Sequence, residues 1–250
     1  MTGLLLREVA NQQRLFWRSR EAAFFTFLLP ILFLVLLGSV YGDEQIEGVR
    51  ASSYLLAGLL GYGVVATAFA GLAITLVLRR ESGVLKRVRG TPLPTAVYLA
   101  AVMASTLLVI ALSACAQLLV GRFLLDATLP KAPGSFVLAL LLGAVAFAAL
   151  GLAFTGAVRS AEGSSAAVNA LYLPLVFISG VFFSVETLPG FLQAIAEISP
   201  LTYLLRLVRA TLIDGDGLLA APGDVLVLVV WGLIGLVVAV RVFRWEPREV

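Results

Sequence analysis

Histidine is missing altogether from this 250-residue chain, cysteine occurs once, and only 13% of the residues are charged. Without histidine there is no imidazole metal site, no histidine proton shuttle and no Ser–His or Cys–His catalytic pair. With Cys115 alone there is no internal disulfide and no thiolate metal cluster. Cys115 reads instead as a small apolar residue inside a helix. The charge content is about half that of an average soluble domain, while 60% of the residues are hydrophobic. A soluble fold of this length cannot hide so much apolar surface, which leaves an all-α integral membrane protein. The net charge of +3 gives no sign of a nucleic-acid surface.

What is present is arranged in charge-free runs, at residues 22–42, 51–78, 90–121, 132–158, 163–185 and 225–240. A helix needs about 20 apolar residues to cross the hydrocarbon core. The runs predict six spans, at about 22–42, 54–78, 95–120, 134–158, 165–185 and 224–241. The last run has only 16 residues, and it spans if Arg241 and Arg244 snorkel and the bilayer thins. Thirteen of the 18 Lys and Arg residues fall on one side of this arrangement and five on the other. The positive-inside bias therefore places both termini in the cytoplasm of a cell membrane. Arginine outnumbers lysine sixteen to two, the usage of a GC-rich bacterial genome. The first run comes after a long basic lead and exceeds a signal-peptide core, so it reads as a retained helix.

Residues 4–21 have helical periodicity. Arg7, Asn11, Arg14, Arg18 and Glu21 share a polar face, and Leu5, Leu6, Val9, Phe16 and Trp17 supply the other. The segment is expected to lie on the inner leaflet against anionic headgroups. Pro30 should kink the first span. Tyr41 and Tyr54 flank an acidic loop with Asp43, Glu44 and Glu47, and they fit an interfacial aromatic belt. Small residues recur at Ala57/Gly61, Thr67/Gly71 and Gly143, Ala144, Ala148, Gly151, a spacing that reads as bundle packing. Residues 79–92 form the most charged loop, with a short helix expected over 84–89 and ended by Pro92. Residues 186–213 hold two apolar segments too short to cross, broken at Pro200. They predict a re-entrant hairpin at the outer surface. The run Asp214-Gly215-Asp216-Gly217 is a turn, because its continuation lacks calcium ligands.

No charge-free run contains Asp, Glu, Lys, Arg or His, the kind of residue that proton-coupled carriers and charge-ringed channels need. The chain also lacks the G-x-x-x-x-G-K-[ST] phosphate loop. It is therefore not an enzyme by itself, and any uphill transport must draw on another protein.

Two motifs are more specific. The charged loop reads Glu81-x-Gly83-x-Leu85-x-x-Val88-x-x-Thr91-Pro92. The later segment reads Ser179-Gly180-Val181-Phe182-Phe183, Leu188-Pro189, then Ile198-Ser199-Pro200-Leu201-Thr202-Tyr203, with Arg206 and Arg209. Together and in this order they resemble the membrane subunits of ATP-binding-cassette exporters, the type 2 ABC permease family, over nearly the whole chain. The resemblance implies a dimer with a second permease (a copy or a paralogue), docked on two cytoplasmic ATPase subunits that bind ATP and Mg, while this chain binds no cofactor. It implies that the loop 79–92 is a coupling helix. Glu81 and Gly83 would set its turn, Leu85 and Val88 would plug an apolar groove of the ATPase, and Lys86, Arg87 and Arg89 would meet the rim, before Pro92 ends it. It implies an outer hairpin marked by Pro189, Pro200 and Tyr203. It also implies a pathway along the second and fifth spans, with Phe69, Asn169, Phe177, Ser179, Phe182 and Phe183 as candidates. An aromatic lining suits a hydrophobic drug-like molecule or a lipid. A passive channel, an uncoupled carrier, an exporter of polysaccharide or glycolipid, and a membrane assembly protein without transport stand as alternatives.

Overall fold

Inside lipid a backbone satisfies its own N–H and C=O groups only as helix or closed barrel, and this chain takes the helical solution. The structure, a computed structural model, describes residues 2–41, 44–158, 160–243 and 245. Asp43 of the acidic loop, and Arg159, Arg244 and Arg248 of the charge count, lie outside the described residues. The helices in order are α1 (Thr2–Arg18), α2 (Arg20–Tyr41), α3 (Ala51–Glu81), α4 (Val84–Arg89), α5 (Thr95–Leu125), α6 (Pro133–Thr155), α7 (Ala161–Ile178), α8 (Gly190–Ala196), α9 (Pro200–Asp214) and α10 (Pro222–Val242). Six of them (α2, α3, α5, α6, α7 and α10) are long and apolar enough to cross a membrane. The chain is an all-α membrane protein. The pair α8–α9 passes the same test only when joined across its 80° bend.

Sequence chemistry explains the helix ends. Pro133, Pro200 and Pro222 each open a helix, where the missing N–H would have no partner anyway. Ser160 and Ser199 cap the starts of α7 and α9, their Oγ atoms accepting from the Gly163 N–H at 3.1 Å and the Leu201 N–H at 3.2 Å. Pro30 lies inside α2, so the Thr26 carbonyl loses its usual donor. The chain winds Phe24–Leu28 as a π turn, and Ser113 of α5 donates to the Thr26 carbonyl at 3.1 Å. Between α2 and α3 the chain makes a two-residue hairpin, Gln45–Ile46 against Val49–Arg50. Its turn residues Glu47 and Gly48 have φ of 54° and 73°, as a tight hairpin requires.

The third helix is the axis of the fold. In its most apolar window 72% of the residues are buried, against 17% in α2, α7 and α10. It packs against α2, α5, α6, α7 and α9, while α10 lies along α6. Small residues make these approaches possible. A Cβ at Gly151 of α6 would stand 2.9 Å from the Phe69 carbonyl oxygen, and one at Gly235 of α10 would stand 2.7 Å from the Leu150 nitrogen.

Several expectations need correcting. The apolar run predicts a fifth span over 165–185, but α7 stops at Ile178 and Gly180 comes next but one, with φ of +92°. That left-handed backbone ends the helix, so Ser179, Phe182 and Phe183 stand in a turn. The second span extends to Glu81 and the third to Leu125, because the helices continue past the apolar runs into charged ends. The amphipathic helix ends at Arg18 instead of residue 21, and its bundle-facing side is partly polar. Gln12 is 5% exposed, and Gln13 donates to the Ser105 carbonyl at 2.9 Å and its Oγ at 3.0 Å, whereas Leu6 and Trp17 remain exposed. Tyr54 is fully buried and takes no part in an aromatic belt, while Tyr41 is exposed.

Gly58 is the tightest of the approaches, since a Cβ there would overlap the Val181 carbonyl oxygen, a backbone atom that cannot rotate away. Overpacking of this kind costs about 1–3 kcal/mol. Gly58→Ala is therefore expected to lower the thermal midpoint of the detergent-purified protein clearly. Gly134→Ala, where no atom lies within 4 Å, should leave it unchanged. Equal midpoints for the two variants would contradict this packing.

Candidate functional site

The loop after α3 is organised by Arg80. The buried stripe of α3 runs through Ala73, Leu76 and Val77, and one turn further it reaches Arg80, which is only 2% exposed. Its guanidinium donates to the Thr155 carbonyl at 2.9 Å and the Val158 carbonyl at 2.8 Å, and its Nε pairs with Glu81 at 2.7 Å. Thr155 is the last residue of α6, where helical carbonyls lack intrahelical donors and the helix dipole favours a cation. Arg80 thus closes the end of one span from the end of another.

Gly83, at φ of +71°, then reverses the chain into α4. This short helix has two faces. Leu85 is fully buried in the core of this chain and Val88 packs against that core, while Lys86, Arg87 and Arg89 are exposed. The expectation that Leu85 plugs a partner's groove is therefore corrected: the side chain is already occupied at home. Glu81 does more than set a turn, because it neutralises the buried Arg80. Among the described residues no carboxylate pairs with Lys86, Arg87 or Arg89, and Arg87 reaches only the Ser82 carbonyl at 3.4 Å. Pro92 is exposed in the link to α5.

The six pathway candidates separate. Phe69 is buried in a π turn of α3, its ring 5.6 Å from that of Phe154. It borders an apolar cleft of about 370 Å³ that also includes Phe147, Tyr172 and Trp231. Asn169 and Phe177 lie exposed on α7, and Asn169 makes no side-chain hydrogen bond among the described residues. Pro174, inside the same helix, leaves the Ala170 carbonyl without its usual donor. Phe182 is wedged between Phe33 at 6.0 Å and Phe177 at 5.5 Å, and Phe183 is partly exposed. Ser179 is buried and shares a 2.8 Å hydrogen bond with Ser199, so it joins the turn to the hairpin, and it borders a polar cavity of about 730 Å³ whose wall includes Glu186, Glu197, Arg206 and Arg209.

The α8–α9 hairpin is tied in the same way. Tyr203 donates to the Glu197 carbonyl at 2.7 Å, and Arg206 pairs with Glu197 while lying 5.2 Å from the Tyr203 ring. Pro189 precedes α8, whose Phe191 and Ile195 are exposed, as is Ile198 just beyond its end. Arg209 donates to the Gly180 carbonyl and stacks 3.9 Å over Tyr54, whose hydroxyl reaches the same carbonyl at 3.3 Å. Sequence reading missed Arg80, Tyr54 and Arg209 as anchors. For Arg80 a signal existed, since it falls in register with the buried stripe of α3. For Tyr54 and Arg209 none did, because their common partner is a backbone carbonyl. Among the described residues no cluster of acidic or cysteine side chains could hold a metal.

Residues 5–213 match the family described as the ABC-2 type transporter, and the chain belongs to that family. It is similar to a putative transport permease, YvfS, of Bacillus subtilis strain 168, with 26% identity over 203 residues covering 80% of this chain and 81% of that protein. It is likewise similar to the inner membrane transport permease YadH of Escherichia coli K12, with 26% identity over 181 residues covering 70% of this chain and 67% of that protein.

Removing one partner of a buried ion pair costs about 3–5 kcal/mol. Arg80→Ala should therefore sharply lower the thermal midpoint or the yield of folded protein, and Arg80→Lys, which keeps the charge, should lower it less. A midpoint for Arg80→Ala within the range of ordinary surface variants would refute the anchoring role.

Proposed function

We propose that this member of the ABC-2 type transporter family is the permease subunit of an ATP-driven exporter. With a second permease, a copy or a paralogue, it forms a path that moves a hydrophobic or amphiphilic molecule outward across the cell membrane. Work comes from two cytoplasmic ATPase subunits that bind ATP and Mg, and α4 receives it. Both termini lie in the cytoplasm, α1 rests on the inner leaflet and the α8–α9 hairpin dips into the outer one. The observation that carries the reading is the build of α4. Its apolar side is locked to the core through Leu85, and its three cations project outward with no carboxylate of the described chain to neutralise them. A helix presented this way suits a protein surface bearing acidic or polar groups, and its rigid base passes displacement onward instead of absorbing it.

The exposed face of α7 supports the second permease. A mid-helix amide without a partner is costly in hydrocarbon, and Asn169 finds one when a second subunit or a polar part of the substrate covers that face. The apolar cleft at Phe69 and the exposed Phe177 support a hydrophobic or amphiphilic substrate over a polymer. The exposed Leu6 and Trp17 of α1, and Phe191, Ile195 and Ile198 of the hairpin, support contact with lipid at both surfaces.

Two outcomes test the reading. Reversing Lys86, Arg87 and Arg89 together to Glu should abolish co-purification of an ATPase and substrate-stimulated ATP hydrolysis. Lys131→Glu, far from α4 in the chain, should abolish neither, and retained hydrolysis in the triple variant would sink the docking assignment. Asn169→Cys, with Cys115→Ala to remove the native thiol, should give a disulfide-linked dimer in oxidised membranes. Exclusively monomeric protein under those conditions would remove α7 from any interface between two copies of this chain.

A further inference from the structure

A second cavity lies apart from α7 and from the apolar cleft. It occupies about 250 Å³ between α1 and the parts of α2, α3 and α5 nearest to it. Two π turns border it. Thr26 belongs to the Phe24–Leu28 turn of α2, and Ala66, Thr67 and Gly71 belong to the Val65–Gly71 turn of α3. Such turns are energetically unfavourable and often mark functional sites. The α2 turn has a local cause in Pro30, but no proline explains the one in α3.

Thr106 donates to the Val102 carbonyl and Ser105 Oγ accepts from Gln13, but other polar groups in this cavity are not used up by the fold. The hydroxyls of Thr26, Thr67 and Thr75 line it and make no side-chain hydrogen bond among the described residues. Arg79 reaches it from the end of α3, and one of its nitrogens donates to Gln12 Oε1 at 2.8 Å and to the Tyr98 hydroxyl at 2.9 Å. Both acceptors are neutral. Among the described residues no Asp or Glu lines the cavity, and the carboxylate of Glu8 in this network is bound to the amide of Gln12 at 2.6 Å. A half-buried guanidinium whose two partners here are neutral meets no counter-charge in them and has unused N–H donors. Its complement is an anionic group rich in oxygen acceptors.

Size and surroundings narrow the class further. The volume lies below the roughly 300–1,000 Å³ of pockets for drug-sized ligands, so it suits a headgroup and not a whole amphiphile. Leu15, Phe16 and Val109 give the rest of the wall an apolar surface for the carbon chain attached to the headgroup. The roof of the cavity is α1, whose Leu6 and Trp17 are exposed in the manner of a helix lying in lipid.

We propose that this cavity is a binding site for the phosphate group of a membrane phospholipid, held by Arg79 and the threonine hydroxyls beneath α1. The site does not depend on the coupling mechanism proposed above, and it holds for the chain in any membrane assembly.

The test uses the full chain in nanodiscs of phosphatidylcholine with or without phosphatidylglycerol, with native mass spectrometry of the released protein. Wild type should retain one phosphatidylglycerol per chain. Arg79→Gln and Thr67→Leu should each weaken retention by about tenfold or more, the scale of one charge-assisted hydrogen bond. Thr67→Leu fills the cavity while leaving the Arg79–Gln12–Tyr98 contacts in place, so it separates loss of the site from loss of the fold. Lys131→Gln removes an exposed cation outside both α1 and the cavity and should leave retention unchanged. Equal retention in wild type and both cavity variants overturns the proposal, as does an equal loss in Lys131→Gln. In a second arm, inorganic phosphate is titrated into the phosphatidylglycerol-loaded protein in detergent. Phosphate that binds through Arg79 and displaces the lipid completely would assign the site to the free ion and overturn the lipid assignment.

Discussion

One buried cation sets the geometry of the cytoplasmic end as we assign it. A guanidinium withdrawn from water is tolerable only when its donors are met and its charge is balanced. Arg80 meets both conditions through two carbonyls at the end of α6 and the carboxylate of Glu81. The three-way bond leaves little freedom. The end of α3 must lie beside the end of α6, Glu81 must turn inward, and the chain can leave only through the left-handed Gly83. The course of α4, with Leu85 inward and its cations outward, results from that exit. A motif that looks in sequence like a surface signal is largely the internal joinery of the helix that carries the surface.

The other end of the fold repeats the device with different chemistry. The Gly180 carbonyl is taken by Arg209 of the hairpin and by Tyr54 at the start of α3. Thr155 and Val158 precede α7 in the chain, and Gly180 comes after it. The helix with few packed neighbours is therefore fastened at both ends, each time to an end of the most buried helix. Fastening by the ends leaves the side of α7 uncommitted, and that is where Asn169 and Phe177 stand. A helix held by side-chain packing alone would have had to spend that face on its own subunit.

The six spans were legible because the signal is coarse: excluding charge from about 20 residues is what lipid demands of a crossing helix, and it leaves a plain trace. The short helix at 84–89 and the break at Pro200 were legible for the same kind of reason, since proline and glycine act locally. What was not legible depends on who buries whom. Sequence shows that Arg79 and Arg80 are adjacent cations. It does not show that one meets carbonyls 75 and 78 residues away and the other meets only neutral groups. Leu85 looked available because its helix is charged, although a six-residue helix beside a membrane bundle has to bury its apolar side somewhere. The end of the fifth span was misplaced because apolar composition continues through Val181, Phe182 and Phe183 after the backbone has already turned at Gly180. Composition reports the solvent, and hydrogen bonding decides where a helix stops.

The absence of Asp, Glu, Lys, Arg and His from the charge-free runs acquires a mechanical meaning on the proposed function. With no Asp, Glu, Lys, Arg or His in those runs, the proposed exporter has no ionic coupling site within them, and on that reading displacement enters from outside the bilayer. Gly83 joins α4 to the end of α3, and Arg80 there grips the link into α7, which is the route that displacement of α4 would take on the proposed function. From α4 to α7 there is one glycine turn and one set of charge-assisted hydrogen bonds. Softer connections would dissipate the motion. A salt bridge on the surface would be screened and mobile, whereas one that is 2% exposed on its cationic side is neither. Burying Arg80 therefore serves stiffness as much as stability, and it accounts for a charge this fold keeps where an apolar residue would pack with less cost.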